Sequence, residues 1–561
     1  MKYIFLHALI FLSRICYCQS VKETTASVSN NDAAESIKGK DILLHTKILA
    51  SDEFEGRAPG TTGEILTVDY ITKIYRQLGL EPGNPDGSFV QQVPLYGYKS
   101  SARASIASAT KNITLSYPEN FVAVSRKQQE KIDVEGSEMV FVGYGVVAPE
   151  YGWDDYKGID VKGKTIVMLV GDPPVAIAQD SGKLDNKYFK GTAMTYYGRW
   201  TYKYEIASAK GAAAAIIVHE TGAAGYPFEV VTGSWGHENF DIANPNDTSY
   251  HVSVESWIST PKAKEIFAVS GQSFDELKKL AATKKFAPVN LSCKANFNIS
   301  NTLRSVQSKN VLAKINGTDP KLKEEYIVYT AHWDHLGKDE SKQGDQIFNG
   351  ALDNASGVAG LLEIAEAFTK APPKRTVLFM ALTGEEEGLL GAKYYTASPF
   401  YPLNKTVANI NMDVINPHGI TNDLVVIGSG QNQLEDVLKK VLTSRKRVVA
   451  PETTPEKGFY YRSDHFEFAK AGIPALYVKI GVNFQGKTKE WGKEQSEKYI
   501  TTDYHKVSDD VKPEWSFDGG AEDMKALFLV GAELAGSTSF PSWKAGSEFK
   551  ARREVMTGKT K

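Results

Sequence analysis

The pattern of apolar and polar positions divides this chain into three textures. From Asp41 to Ile48, and again from Thr62 to Leu78, apolar residues recur at helical spacing; Leu66, Tyr70, Ile71, Ile74 and Leu78 share one face, and Gly79 stands where a helix C-terminus wants a left-handed residue. A Gly/Pro turn, Gly56-Arg57-Ala58-Pro59-Gly60, separates the two helices, which have no strand pattern nearby and are expected to pack on something later in the chain. Around Gly136 short β-type runs with turns take over, as in Glu138 to Gly145 and Lys164 to Gly171, and a helix near Tyr204 to Lys210 leads into the small-residue run Gly211 to His219. From Asn310 onward strands and helices alternate. Strands are predicted at Tyr326 to Ala331, Thr376 to Leu382, Val407 to Met412 and Pro474 to Ile480. Helices are predicted at Ser356 to Phe368, from near Glu386, at Gln433 to Leu442 and at Ala521 to Leu534. That succession predicts an α/β fold with a mostly parallel central sheet and helices on both faces, carrying a smaller β-rich insert.

At 561 residues the chain is too long for one ordinary core. The layout read from these textures is a signal peptide over 1–18, a disordered polar leader over 19–40, a first part of the main domain over 41–135, an insert over 136–300, the rest of the main domain over 301–540 and a tail over 541–561. With 42% hydrophobic residues and a net charge of −2 the protein is globular without a strong electrostatic preference, which argues against a nucleic-acid partner. The aromatic residues of the insert (Tyr144, Tyr151, Trp153, Trp200 and Trp235) are expected to serve core packing before substrate binding.

Lys2, the apolar segment Ile4 to Leu12 and the triplet Cys16-Tyr17-Cys18 suit cleavage after Cys18 and export to the periplasm or the exterior, with no membrane span, since the apolar run is too short. Lipoprotein anchoring at Cys18 is the weaker reading, because Tyr17 is bulky where a small residue is usual. After cleavage only Cys293 remains, so neither an intrachain disulfide nor a thiolate metal site is expected.

The candidate chemistry follows from reading what comes after each predicted strand, because ligands of such sheets sit at the carboxyl ends of the strands. The first strand ends in His332, Asp334 and His335; Asp353 follows in Leu-Asp-Asn-Ala-Ser-Gly at the opening of a helix. The next strand leads into Glu385-Glu386-Glu387, the third into Asp413, and the loop beyond the last carries Tyr504 and His505. Asp413 at the end of an apolar strand is costly unless paired, and a bound cation resolves that cost together with the glutamates. Nitrogen and oxygen donors without thiolates fit zinc best, with cobalt and manganese as the alternatives. Two imidazoles and three carboxylates can serve two zinc ions about 3.5–4 Å apart if one carboxylate bridges, and one further carboxylate is then needed to carry the proton of an attacking water.

His332-Trp-Asp-His-Leu-Gly, Leu352-Asp-Asn-Ala-Ser-Gly, Glu385-Glu-Glu-Gly-Leu-Leu-Gly, Asn411-Met-Asp and Asp503-Tyr-His together resemble the co-catalytic dizinc aminopeptidases of the zinc-exopeptidase superfamily, and the insert resembles a protease-associated (PA) domain. The resemblance covers Asp41 to about Ala535. It implies that His332, Asp353 and Asp413 hold one zinc and that Asp353, Glu386 and His505 hold the other. By the same comparison Glu385 is the general base, Asp334 orients His332, Tyr504 helps hold the oxyanion, and His335 is no ligand. Arg462-Ser463-Asp464-His465 resembles a family segment near the site without an assignable role.

The implied activity is hydrolysis of N-terminal residues from peptides. A carboxypeptidase or dipeptidase of the same superfamily is the nearest alternative. The acidic ligand loops, with Glu385, Glu387, Asp503 and Asp509 against only Arg462 and Lys506, favour recognition of a free ammonium and predict that amidating the far carboxyl matters little. A single-zinc glutaminyl cyclase would not need all five ligands. A receptor-like relative would be expected to have lost some of them. A two-metal phosphoesterase predicts more basic residues near the metals than these loops carry. The sequence sets no oligomeric state.

Overall fold

Four strands buried on both faces form the centre of the molecule: Thr376–Leu382, Tyr326–His332, Thr406–Asn411 and Ala475–Lys479, adjacent in that order and all parallel. Their near-continuous apolar runs have the composition that burial on both faces demands. Residues alternate across the sheet. In Tyr326–His332, Ile327, Tyr329 and Ala331 face a layer formed by helices Gly39–Leu49, Ser356–Lys370 and Asp518–Gly536, while Tyr326 and Val328 face the opposite layer with Tyr395 and Phe468. Two short strands, Asp423–Val426 and Val448–Pro451, extend one edge, the first antiparallel to Ala475–Lys479. The other edge is closed by the long strand Val289–Ile315, antiparallel to Thr376–Leu382.

The computed structural model describes residues 28–177, 180–243 and 251–558. The signal-peptide reading of residues 1–18 lies outside them. Helix Thr62–Gln77 forms as its pattern predicts, capped by the Thr61 hydroxyl at its start and followed by Gly79 at φ 73°. Among the described residues no helix is long and apolar enough to cross a membrane.

Three boundaries differ from the sequence expectation. The described part of the supposed leader is structured: helix Asn30–Ala34 is capped by Ser29, and Ala33, Ala34 and Ile37 are fully buried in the core, with Glu35 bonded to Lys525. Small apolar residues inside a polar run carry little periodic signal, although two alanines and an isoleucine suffice to dock one turn. The tail is also part of the fold. Trp543 and Phe549 are buried among Tyr460, Tyr461 and Phe466, and Arg553 in helix Lys550–Met556 donates to the carbonyls of Leu403 and Thr406. The second lobe, finally, begins well before residue 136. Strand Val90–Ala107 pairs antiparallel with the long strand from Val90↔Val311 to Ala107↔Lys294, so the chain enters and leaves this lobe along one two-stranded ribbon. The Ser/Ala/Arg-rich part of that strand alternates between faces but lacks the bulky β-branched residues that mark strands in a sequence.

The second lobe has a core on each face of its sheet. Tyr144, Trp153 and Trp235 are buried there as expected, Tyr151 packs against Phe189, and Trp200 and Trp235 also border the cleft between the lobes. The lobe touches the main domain directly: Phe240 N–H donates to Glu387, Asp241 lies 3.5 Å from Lys393, and Tyr461 donates to the Met194 carbonyl.

Candidate metal centre

At the carboxyl ends of the parallel strands two imidazoles and three carboxylates converge. His332, the last residue of its strand, is 1% exposed, and its Nε2 lies 3.3 Å from Asp353 Oδ1 and 3.7 Å from Asp413 Oδ1. His505 Nε2 lies 3.4 Å from the other Asp353 oxygen, Oδ2, and 3.1 Å from Glu386 Oε2. Two donors bound to one tetrahedral zinc at metal–ligand distances of about 2.0–2.1 Å stand roughly 3.3 Å apart, so these separations suit pairs sharing a cation. Asp353 turns one oxygen to each group. The donors thus form two sets, His332/Asp353/Asp413 and His505/Asp353/Glu386, joined by one carboxylate.

Electrostatics agree with that geometry. Burial alone would drive His332 and His505 to lose their protons, yet the surrounding carboxylates (Glu385, Asp353 and Asp413 around His332; Glu386 and Asp353 around His505) hold both well above the ordinary histidine range. Burial would likewise raise Asp353, but the two histidines hold it well below the carboxylate range. A field that strongly favours positive charge, together with a buried His505 Nε2 that makes no hydrogen bond, is what a cation site requires.

Local structure explains how the chain delivers these groups. The segment before helix Ser356–Lys370 is pinned by Asp509, whose carboxylate accepts from Leu352 N–H at 3.0 Å, Asp353 N–H at 3.1 Å and Tyr499 O–H at 3.1 Å. Asn354 donates to the Met412 carbonyl and accepts from Val414 N–H, which ties the Asp353 and Asp413 loops together. The glutamates form a turn before helix Leu390–Ala397, which begins four residues later than expected. Asp334 caps that turn, with one oxygen accepting from Glu385 N–H at 3.1 Å and the other from Glu386 N–H at 3.3 Å. The Asp334 carboxylate stands 3.8 Å from His332 Nδ1, whereas its main-chain carbonyl stands at 3.2 Å, so the expected orienting contact runs through the backbone. Burial pushes the Asp334 carboxyl up to about 6.

Glu385 lies among these groups, raised well above the carboxylate range by burial and by Glu386, Asp413 and Asp464, with His332 opposing. Tyr504 is 42% exposed and stacks on His505 with ring centroids 3.9 Å apart. His335 donates its Nδ1–H to Glu386 Oε1 at 2.6 Å, a hydrogen-bond distance too short for two ligands of one ion, and so holds Glu386 while its other oxygen faces His505. Of the acids expected to face an ammonium, Asp509 is committed beneath Asp353, Asp503 pairs with Lys512 at 3.4 Å, and only Glu385 and Glu387 line the cleft.

Of three supporting residues, Tyr477 and Arg57 carried no sequence signal of function, and Asp464 lay in a segment resembling the family without an assignable role. Tyr477, inside a strand, directs its hydroxyl to Asp413 Oδ2 at 3.3 Å. Asp464 is fully buried with neither oxygen bonded, close to Glu385 and Asp413. Arg57, from the Gly/Pro turn, is buried beneath the centre and binds four carbonyls, of Leu49, Trp333, Asn349 and Gly350. Neighbouring Asp509, Asp334, Asp353 and Glu386 support its charge against burial, which pulls it down to about 10.

The sequence model of peptidase family M28 matches residues 310–528, the segment that supplies every one of these donors. The chain is 36% identical over 106 residues to a probable zinc metalloprotease of Pyrenophora teres f. teres, covering 19% of this chain and 22% of that relative. It is 32% identical over 117 residues to a vacuolar membrane protease of Kluyveromyces lactis, covering 20% of this chain and 12% of that relative. The chain therefore spans less than a quarter of the length of these curated relatives. Among solved structures, an aminopeptidase from Aneurinibacillus sp. strain AM-1 aligns at 17% identity over 92% of this chain and 97% of that one, with a TM-score of 0.45. A likeness at that score carries no argument about activity. The M28 match covers none of the second lobe before residue 310.

Proposed function

We propose that the protein is an exported dizinc aminopeptidase that releases N-terminal residues from peptides. The observation that carries this reading is Asp353 shared between two three-donor sets, within an M28 segment and beside an additional carboxylate. His332, Asp353 and Asp413 would hold one zinc ion and His505, Asp353 and Glu386 the other. When bound, the pair would supply Lewis acidity to the scissile carbonyl and lower the pKa of an attacking water.

The chain's own residues do the rest. Glu385 is held by the bond from its N–H to Asp334 with its carboxylate facing the donors, and takes the water's proton and passes it to the leaving amine. Tyr504, at the rim of the cleft, donates its hydroxyl to the oxygen that gains charge. Glu385 and Glu387 make the cleft wall beside the donors acidic, which suits a free α-ammonium. The second lobe closes the other side of the cleft and limits access of water and of long substrates.

The test is the direction of attack. Acetylating the amine of a short peptide removes an ion pair and leaves a buried acceptor unpaired, so kcat/KM is expected to fall by several kcal/mol in transition-state terms. Undiminished cleavage of the acetylated peptide overturns the aminopeptidase reading.

A further inference from the structure

The cleft above the metal donors, about 360 Å³ in volume, runs from Glu385, Glu386, Tyr504 and His505 to two arginines, one from each lobe. Arg199 precedes helix Trp200–Ala209 of the second lobe. Arg462 follows the turn Phe459–Tyr461 of the main domain. Among the described residues neither guanidinium has a carboxylate within ion-pair distance, and the Nε of each is buried without a hydrogen bond. Among the described residues Arg199 makes no side-chain hydrogen bond and Arg462 donates once, to the Lys457 carbonyl at 2.8 Å, and lies over the Phe459 ring. The other cations lining the cleft are matched to acids. Arg126 pairs with Glu255 at 3.2 Å and Asp241 at 3.7 Å, Lys393 with Asp241 at 3.5 Å, and Lys470 with Glu205 at 2.9 Å.

Two like charges placed together and withdrawn from water are unfavourable without an anion between them. Burial and the proximity of Arg462 pull Arg199 down to about 10. A planar guanidinium matches a carboxylate through paired N–H donors, and two neighbouring ones, one from each lobe, can share one carboxylate. The cleft has the size of a small-ligand site, enough for a short peptide.

We propose that Arg199 and Arg462 clamp the C-terminal carboxylate of a short peptide whose N-terminus lies at the metal centre, which makes free oligopeptide acids the substrate class. This rests on the aminopeptidase reading of the same site. It also replaces the sequence expectation that the far carboxyl is unimportant, since Arg199 lies more than 260 residues before Arg462 in the chain and only the fold brings it to the cleft.

The zinc-loaded, full-length protein is assayed on Leu-Gly-Gly, its C-terminal amide and Leu-Gly-Glu amide. The wild type is expected to prefer the free acid over its amide by at least about tenfold in kcat/KM, through KM, because the amide forfeits a charge-assisted contact. In R199Q and R462Q the preference shrinks to within about twofold, and R199K, which keeps the charge but loses the fork, falls between. Zinc content and thermal unfolding establish that each variant is folded. For a variant that fails them, product inhibition of the wild type decides: Gly-Gly inhibits and its C-terminal amide, Gly-Gly amide, does not. Equal wild-type rates on acid and amide overturn the clamp, as does a preference that survives in both Gln variants. Leu-Gly-Glu amide matching the free acid overturns the assignment to the terminal carboxylate in favour of an acidic side chain. If only N-acetylated peptides are cleaved, the aminopeptidase reading fails on its own, and the clamp is still judged on the acid-to-amide ratio of the acetylated pair.

Discussion

Replacing Arg57 by Met should destabilise the main domain more than any single change at the metal donors. The guanidinium, 1% exposed, donates to the carbonyls of Trp333 at 2.9 Å, Leu49 at 2.8 Å, Asn349 at 2.5 Å and Gly350 at 2.9 Å. It therefore joins an early helix to the loops that carry His332 and Asp353. Hydrogen bonds to a charged donor contribute about 1.5–3 kcal/mol each, so four give a gross figure of roughly 6–12 kcal/mol. Much of this is offset because the variant no longer desolvates a cation and because water can enter, so the net loss should be near the 3–5 kcal/mol typical of removing one partner from a buried charged network. R57K keeps the charge and at most three donors and should lose about half as much. Urea unfolding of the metal-stripped protein, followed by far-UV circular dichroism, measures both variants without a contribution from zinc binding. An R57M variant within about 1 kcal/mol of wild type would refute the reasoning, as would R57K proving as damaging as R57M.

Glu385→Gln should lower kcat by a factor of roughly 10²–10⁴ with zinc content near wild type, whereas Glu386→Gln should lose metal; exchanged phenotypes would show that base and ligand have been assigned one residue out of register. Asp241, buried between Lys393, His251 and Arg126, is held well below the carboxylate range by those cations in spite of burial. Its contribution is complete above the unfolded pKa near about 4 and is lost as pH falls towards the folded value, so the stability gap between wild type and D241N should narrow by about 1.4 kcal/mol per pH unit below that point. A gap independent of pH between 5 and 2 would contradict this. Export predicts a mature N-terminus at Gln19, and intact-mass analysis finding a diacylglyceryl Cys18 would replace a free exported protein with an anchored one.

The sheet was legible because strands such as Thr376–Leu382 are buried on both faces and read as unbroken apolar runs, and the rule that ligands gather at strand carboxyl ends then singled out His332, Asp413 and the glutamates. What escaped depended on contacts between distant segments. Arg57 looked like part of a turn, and nothing local distinguishes it from a surface arginine; its meaning lies in carbonyls some 280 residues away. Tyr477 sits in a strand whose composition already explained it. Asp503 and Asp509 counted as acidic neighbours of His505, yet one pairs with Lys512 and the other lies beneath Asp353, because sequence proximity does not reveal which way a loop side chain turns. Arg199 belonged to no motif and lay in an insert whose side chains were expected to serve core packing before substrate binding.

The most direct test of the shared-carboxylate centre is the metal content of the purified protein with and without Asp353. Wild type should carry about two zinc ions per chain, lose peptidase activity on chelation and regain it when zinc is restored, while Asp353→Asn should retain at most one ion and little activity. One tightly bound ion with full activity in the wild type, or two ions retained in Asp353→Asn, would contradict a carboxylate shared between two metals.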